Sequence, residues 1–517
     1  MVRLQSYLCG QWQSGTGAGR PLVNPSTGAT IAETSTEGLD LAAAVAYAHD
    51  VGGPALRALS FAERGALLKA MARALHEHRE ALLDISRDNN GTTRGDGKFD
   101  IDGATGTLAA YARYGRDLGD ARVILDGEAE KLGGGARYVG QHVRLSRPGV
   151  AVHINAFNFP AWGTFEKLAV ALLAGVPVIT KPATATAHLT HRMIEIIVEA
   201  GILPDGAVQL LCGSAGDLLD HLGPQDCIAF TGSANTGAML RGHACVVERA
   251  TRISIEADSL NAAIIGPDVS PGDNLWHTAL RNVVKDITQK TGQKCTAVRR
   301  ILVPESIVDD FAAAMVDELS RVKVGHPGDK DVGMGPVATA SQLRDARAGI
   351  QLLSQEADVL TGGADPIQGI GVADGEGFFV KPTLLRARAP LDATHVHLHE
   401  VFGPCATLLP YSGDASEAAT LLAKGGGMLV TSAYSDDRDW TGTLILEGAP
   451  WVGRLVLASK KVADQVLPPG MVLPSQVHGG PGRAGGGEEL GGLRGLEFYT
   501  NRVAIQGDAG VLRKLLG

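Results

Sequence analysis

The sequence predicts an α/β protein of two large domains built on parallel sheets. Three observations carry that expectation. Strand-like apolar runs alternate with amphipathic helical stretches through residues 148–265. Glycine or proline closes most of the joins, so the connections are short. The composition is 44% hydrophobic and 20% charged over 517 residues, with 67 glycines and only 5% aromatics. That suits a large core with many tight strand–helix turns better than a β-sandwich.

The elements follow in order. Pro148-Gly149 opens a strand over Val150–Asn155. Phe165–Ala174 reads as a helix stopped by Gly175. Val176–Lys181 is a short buried strand ended by Pro182. Leu189, Met193, Ile196 and Ile197 share one face of a helix that Gly201 closes. Ala207–Leu211 is a strand, Asp217–Leu222 a short helix, and Cys227–Phe230 another strand. Ser233 is placed to cap the next helix. Arg252–Ile255 and Ala262–Ile265 add two strands. Ligands of such sheets bind beyond the carboxyl ends of the strands, where Lys181, Gly232-Ser233 and Glu256 fall.

A second α/β region follows. Asn274–Lys290 is expected to be helical, Arg300–Val303 a strand, and Ile307–Val322 a helix with Val308, Phe311, Met315 and Leu319 inward. Arg137–Arg147 alternates like an exposed strand. Gly479–Gly495 is glycine-rich: either a disordered linker or a loop whose backbone passes close to a ligand or partner.

A net charge of −9 leaves no footprint for nucleic acid or an anionic membrane. No apolar leader or spanning segment is visible, so a soluble cytoplasmic protein is expected. The six cysteines make no CxxC pair and no disulfide framework. Five read as core residues. Cys295, in TGQKCTA, differs: Lys294 beside it and nearby amides could favour a thiolate nucleophile. His395-Val396-His397-Leu398-His399 would set three imidazoles on one face of a strand, but a metal site needs further ligands that no second cluster supplies, so no metal is expected. Gly232–Gly237 is a glycine-rich turn that either binds phosphate or merely turns the chain. Asn158, in NAFNFP, either forms a turn or donates to an oxyanion.

Taken in order, these pieces resemble the NAD(P)-dependent aldehyde dehydrogenase superfamily. They are N-F-P at Asn158–Pro160, K-P at Lys181–Pro182, F-T-G-S-x-x-x-G at Phe230–Gly237, Glu256, G-Q-x-C at Gly292–Cys295, E-x-F-G-P at Glu400–Pro404 and E-E-L-G at Glu488–Gly491. The resemblance runs from Trp12 to about Thr500. It implies a Rossmann-type parallel-sheet cofactor domain (1–130 and 148–256), an α/β catalytic domain (257–475), and a β-strand oligomerisation arm with a C-terminal segment (131–147 and 476–517). It implies Cys295 as nucleophile, Asn158 as oxyanion donor, Glu256 as the base for water, and Lys167 with Glu489 as a proton relay. It places Ile154, Asn155, Lys181, Ala183, Thr184, Gly213, Gly232, Ser233, Glu400 and Phe402 along the cofactor.

Departures from the family pattern are Phe157 where Trp is frequent, and Ala257-Asp258-Ser259 where Leu-Gly-Gly is frequent. Thr184 stands where NAD-preferring members often carry an acid, so NADP is the expected cofactor and NAD the alternative. The strings INAFNFP and HGGPGRAGGGEELGGLRG are similar to members that act on CoA-linked semialdehydes from aromatic-acid degradation. The end at Gly517 leaves no room for a fused hydratase, so a free-standing enzyme is expected. A homodimer is expected from the arm. The rivals are a CoA-acylating relative, which Glu256 argues against, and a His-rich metal-dependent hydrolase.

Overall fold

The structure, a computed structural model, describes residues 2–516. Two seven-stranded sheets form its two halves. In the first, Arg252–Glu256, Cys227–Thr231, Ala151–Ile154, Val178–Lys181 and Val208–Leu210 lie parallel and in that order. Ser6–Leu8 and Gln11–Gln13 extend the edge antiparallel. The parallel strands are buried on both faces, so they read as continuous apolar runs rather than as alternation. Helices Trp162–Ala174 and Ala187–Glu199 pack against this sheet, and Gly175 ends the first in a left-handed turn.

In the second sheet Thr383–Ala387, Cys405–Tyr411, Arg300–Pro304, Ala262–Ile265, Met428–Tyr434 and Val452–Ala458 are parallel neighbours, and Ala357–Thr361 caps one edge antiparallel. Helix Asn274–Thr288 covers it, capped by Asp273, which accepts the Trp276 amide at 2.8 Å. A third sheet pairs Tyr138–Ser146 with Thr500–Asp508 and carries its side chains largely exposed. No helix among the described residues is long and apolar enough to cross a membrane.

Four local expectations change. The helix from Asn274 ends at Thr288 and not at Lys290, because Lys290 and Thr291 take left-handed φ values of 53° and 56°. The histidine run is a helical turn, His395–Leu398, and not a strand. The Glu356 carboxylate caps that turn by accepting the amides of Thr394 and His395, and His397 is buried with its two nitrogens facing Arg300 and the Pro390 carbonyl. The three imidazoles therefore share no strand face. The glycine-rich segment is no loose linker: it packs backbone to backbone against strand Arg252–Glu256. Finally, Cys9 is half-exposed with a left-handed φ of 51°, so only four of the five remaining cysteines are buried in the core.

Candidate active site

The Cys295 loop is held from several sides. Lys290 Nζ lies 3.5 Å from Asp100 and 4.1 Å from the centre of the Phe159 ring. Thr291 donates its hydroxyl to the Gly335 carbonyl at 3.0 Å. Gly292 has φ +66°, and a Cβ there would lie 2.2 Å from the Gly403 carbonyl oxygen. Asn261 donates its side-chain amide to the carbonyls of Cys295 and Ala297, at 2.7 and 2.9 Å. Left-handed non-glycine residues cost about 1–3 kcal/mol each and persist only where their surroundings over-determine them. These contacts supply that determination.

Glu256 ends its strand, and the glycine-rich segment pins it. Gly487 donates its amide to the Ile255 carbonyl at 3.1 Å, and Ala257 donates to Ala484 at 3.0 Å. The same segment brings in His478. Its Nε2 lies 3.3 Å from Glu256 Oε1 and 3.9 Å from Cys295 Sγ, and one side-chain atom from each of the three falls within 4.8 Å of the others. Asn158, 7% exposed, donates its side-chain amide to the Gln293 carbonyl at 3.0 Å. All four line a cavity of about 450 Å³ walled by Phe99, Phe159 and Trp162.

The electrostatics reverse the sequence expectation for the thiol. Lys294 turns away into a buried pair with Asp286 at 2.6 Å. Burial first, and the Glu256 carboxylate second, push the Cys295 thiol well above its usual range. Burial also acts to raise Glu256, but the His478 imidazole and then Lys167 outweigh it and hold the carboxyl to about 2. Burial acts to lower His478, and Glu256 outweighs that, so the imidazole is raised.

Behind Glu256 lies a second acidic cluster. Carboxylate oxygens of Glu166, Glu256 and Glu489 fall within 4.8 Å of one another. Lys167 Nζ sits 3.1 Å from Glu489 and 3.4 Å from Glu166. Burial raises Glu489 to about 7 against the pull of Lys167, and burial raises Glu166 too. Burial opposes the charge on Lys167, but Glu489 and Glu166 overcome it and the ammonium is held more firmly than usual. Like charges this close cannot all be ionised, so the cluster stores a proton near neutral pH.

On the other side of Cys295 a cleft of about 1130 Å³ runs to the carboxyl end of the first sheet. Asn155, Lys181, Ala183, Gly232, Ser233, Glu400 and Phe402 line it. Glu400 accepts the Ser259 amide at 3.0 Å and faces Arg299 at 3.3 Å. Lys181 donates to the Pro182 carbonyl at 3.0 Å, and the Asn155 side-chain oxygen is buried without a partner. A cleft that joins an ammonium, an orphaned acceptor and a helix start to the thiol fits a dinucleotide. Ser233 caps helix Ala234–Arg241, but the Ala234 amide is already taken by Asp258 at 2.9 Å, so not all of the turn is free for phosphate.

The profile of the aldehyde dehydrogenase family matches residues 12–441. The chain is 45% identical over 480 residues to 3,4-dehydroadipyl-CoA semialdehyde dehydrogenase of Aromatoleum evansii, covering 93% of each. The chain belongs to the aldehyde dehydrogenase family. It is also 27% identical to the NADP succinate-semialdehyde dehydrogenase of Escherichia coli, covering 94% of this chain and 95% of that one. Among solved structures, a betaine aldehyde dehydrogenase double mutant from Staphylococcus aureus shares the fold. Its TM-score is 0.84 at 23% identity, covering 98% of this chain and 97% of that one.

The aldehyde dehydrogenase fold thus brings Cys295, Glu256 and Asn158 into one cavity, sets Lys167 against Glu489, and lines the neighbouring cleft with most of the expected cofactor residues. Three expected residues do not line that cleft. Ile154 ends its strand, Thr184 opens the turn just past Ala183, and Gly213 lies against Thr36. Sequence reasoning missed His478, Glu166 and the Phe99–Trp162 wall. No spacing rule links His478 to Glu256. The one available signal was a lone histidine inside the string that carried the subfamily likeness.

Proposed function

We propose that this enzyme oxidises a CoA-linked semialdehyde to the carboxylic acid with NADP, through a covalent intermediate on Cys295. The observation that carries the chemistry is the Cys295–Glu256–His478 cluster with Asn158 in one cavity. Sγ attacks the aldehyde carbon as the thiol proton passes to Glu256, giving a thiohemiacetal. The oxyanion is held by the Asn158 amide and the Cys295 backbone N–H, at about 3–4 kcal/mol per donor. A bound NADP, or NAD as the alternative, would supply the hydride acceptor that turns the Cys295 thiohemiacetal into a thioester. Lys181, Ala183, Gly232, Ser233, Glu400 and Phe402 would hold it. Glu256 passes the thiol proton on to Glu166, Lys167 and Glu489 and, ionised again, removes a proton from the water that attacks the thioester; the departing Sγ takes a proton back as the acid leaves. Covalent capture divides one hard oxidation into two easier steps.

The substrate reading, 3,4-dehydroadipyl-CoA semialdehyde in aromatic-acid degradation, is supported by the 45% identity to the enzyme of that name. A CoA-acylating outcome is disfavoured by the ionised Glu256 beside the thiol. The sheets support a cofactor domain that takes in 148–256 and a catalytic domain over 257–475, but Ile124–Leu125 and Glu130–Lys131 pair with the arm strand Tyr138–Ser146, so the arm starts before residue 131 and not at it. A homodimer formed by strand addition at the exposed Thr500–Asp508 edge fits the arm.

The test is a single-turnover assay. Glu256→Gln should form NADPH slowly, to no more than one per site, and then stall, with an acyl mass on Cys295. Cys295→Ala should give neither. Full steady turnover by Glu256→Gln would overturn the hydrolytic role.

A further inference from the structure

Outside the inner cavity lies an open groove of about 1220 Å³ that shares Phe99, Trp162 and Val472 with it. One wall is the exposed face of helix Arg94–Leu118, and the other is built by Lys285, Gln289 and the 471–474 segment. Along the helix wall the lining residues are mostly small, so the face is shallow and smooth.

The groove is cationic on a protein of net charge −9. Lys98, Arg113 and Lys285 line it, and among the described residues none is recorded in an ion pair. The one lining carboxylate, Asp102, is gripped by Arg79 at 2.6 Å. Lys98 and Arg113 stand fifteen residues apart on one helix, about 22 Å at 1.5 Å per residue. A ligand that reaches Cys295 from here must be thin and neutral where it passes the aromatic rings and anionic where it meets these side chains.

We propose that the groove binds the phosphorylated nucleotide end of a CoA thioester, with Lys98, Arg113 and Lys285 as its anion contacts. The uncharged pantetheine stem lies between them and the Phe99–Trp162–Val472 mouth. This deepens the reading of the substrate as CoA-linked and rests on it.

The experiment measures desulfo-CoA binding by calorimetry, beside kinetics with the CoA-linked semialdehyde and with hexanal. The Arg113→Glu/Lys285→Glu variant should weaken desulfo-CoA at least tenfold and raise KM for the CoA-linked substrate similarly. Its kcat/KM on hexanal should stay within twofold, which also reports folding. Arg113→Gln/Lys285→Gln should show the same pattern, more weakly, and added salt should erase much of the difference. Equal desulfo-CoA binding by wild type and both variants, with the CoA-linked semialdehyde still preferred over hexanal, would overturn the groove alone. No preference of the wild type for the CoA-linked substrate would overturn the substrate reading, and the groove assignment with it.

Discussion

His478 Nε2 lies 3.3 Å from Glu256 Oε1, and both side chains are almost fully buried. A lone carboxylate at such a depth would keep its proton. The imidazole reverses this and holds Glu256 to about 2, while its own affinity for a proton rises. The base is thereby held ionised beside a thiol whose own proton affinity burial and Glu256 raise.

His478→Phe removes the positive partner. Burial, the largest influence on Glu256, is then opposed chiefly by Lys167, so the carboxyl titrates higher. The acid limb of the kcat–pH profile should move toward neutral pH. The loss should be about tenfold or more at pH 6, within the range of general-base effects, and should shrink toward pH 9. His478→Gln, which keeps polarity but not charge, should share the shift. A uniform loss at every pH would reduce His478 to packing.

Glu489 gives a stability prediction. Its folded pKa, about 7, lies above the usual carboxyl value. The folded state therefore binds the proton more tightly than the unfolded chain does. That contribution is complete below the unfolded value near 4.5 and is lost as pH rises through about 7. Glu489→Gln carries no such liability. Its Tm relative to wild type should rise between pH 5 and pH 8.5, while hydrolysis of the acyl-enzyme slows. A pH-independent Tm difference would contradict the raised value.

Much of the fold was legible because buried parallel strands and amphipathic helices leave strong periodic signals. The Val150, Val176, Ala207 and Cys227 runs all became strands of one sheet. Cys295, Glu256 and Asn158 were legible through short motifs in a fixed order. What stayed hidden depended on tertiary contact. Lys294 beside Cys295 suggested an activated thiolate, but adjacent side chains on a tight loop diverge, and Lys294 found Asp286 instead. The histidine run could not reveal that Glu356, distant in sequence, would cap it into a helical turn. Glycine counts alone could not distinguish a linker from backbone packed on strand Arg252–Glu256.

Thr184 tests cofactor choice. It is half-buried at the start of the turn after Ala183, which lines the cleft, three residues beyond Lys181. A carboxylate placed there would repel a 2′-phosphate, and 1.4 kcal/mol of repulsion reads as about tenfold. Thr184→Glu should lower kcat/KM for NADP by about that factor or more while sparing or improving NAD. A variant that lost both equally would point to local damage, and a wild type that prefers NAD would remove the premise.

Gly485 tests how the glycine-rich segment positions the base. It sits at φ +107°, and a Cβ there would lie 2.1 Å from the Ile255 carbonyl oxygen, one residue before Glu256. Gly485→Ala must push that strand end or the segment aside, along with the Gly487–Ile255 hydrogen bond. A displacement near 1 Å in a reacting group costs about 100-fold, so kcat should fall toward that level. The burst of NADPH should survive better than steady turnover, since hydrolysis makes the stricter demand on Glu256. Gly486 is the control: its φ is +70°, yet a Cβ would meet nothing within 4 Å. Gly486→Ala carries the backbone strain without the clash, so it should lose Tm but keep most of kcat. If the two variants lost kcat equally, contact with the Glu256 strand would not be what the glycines protect.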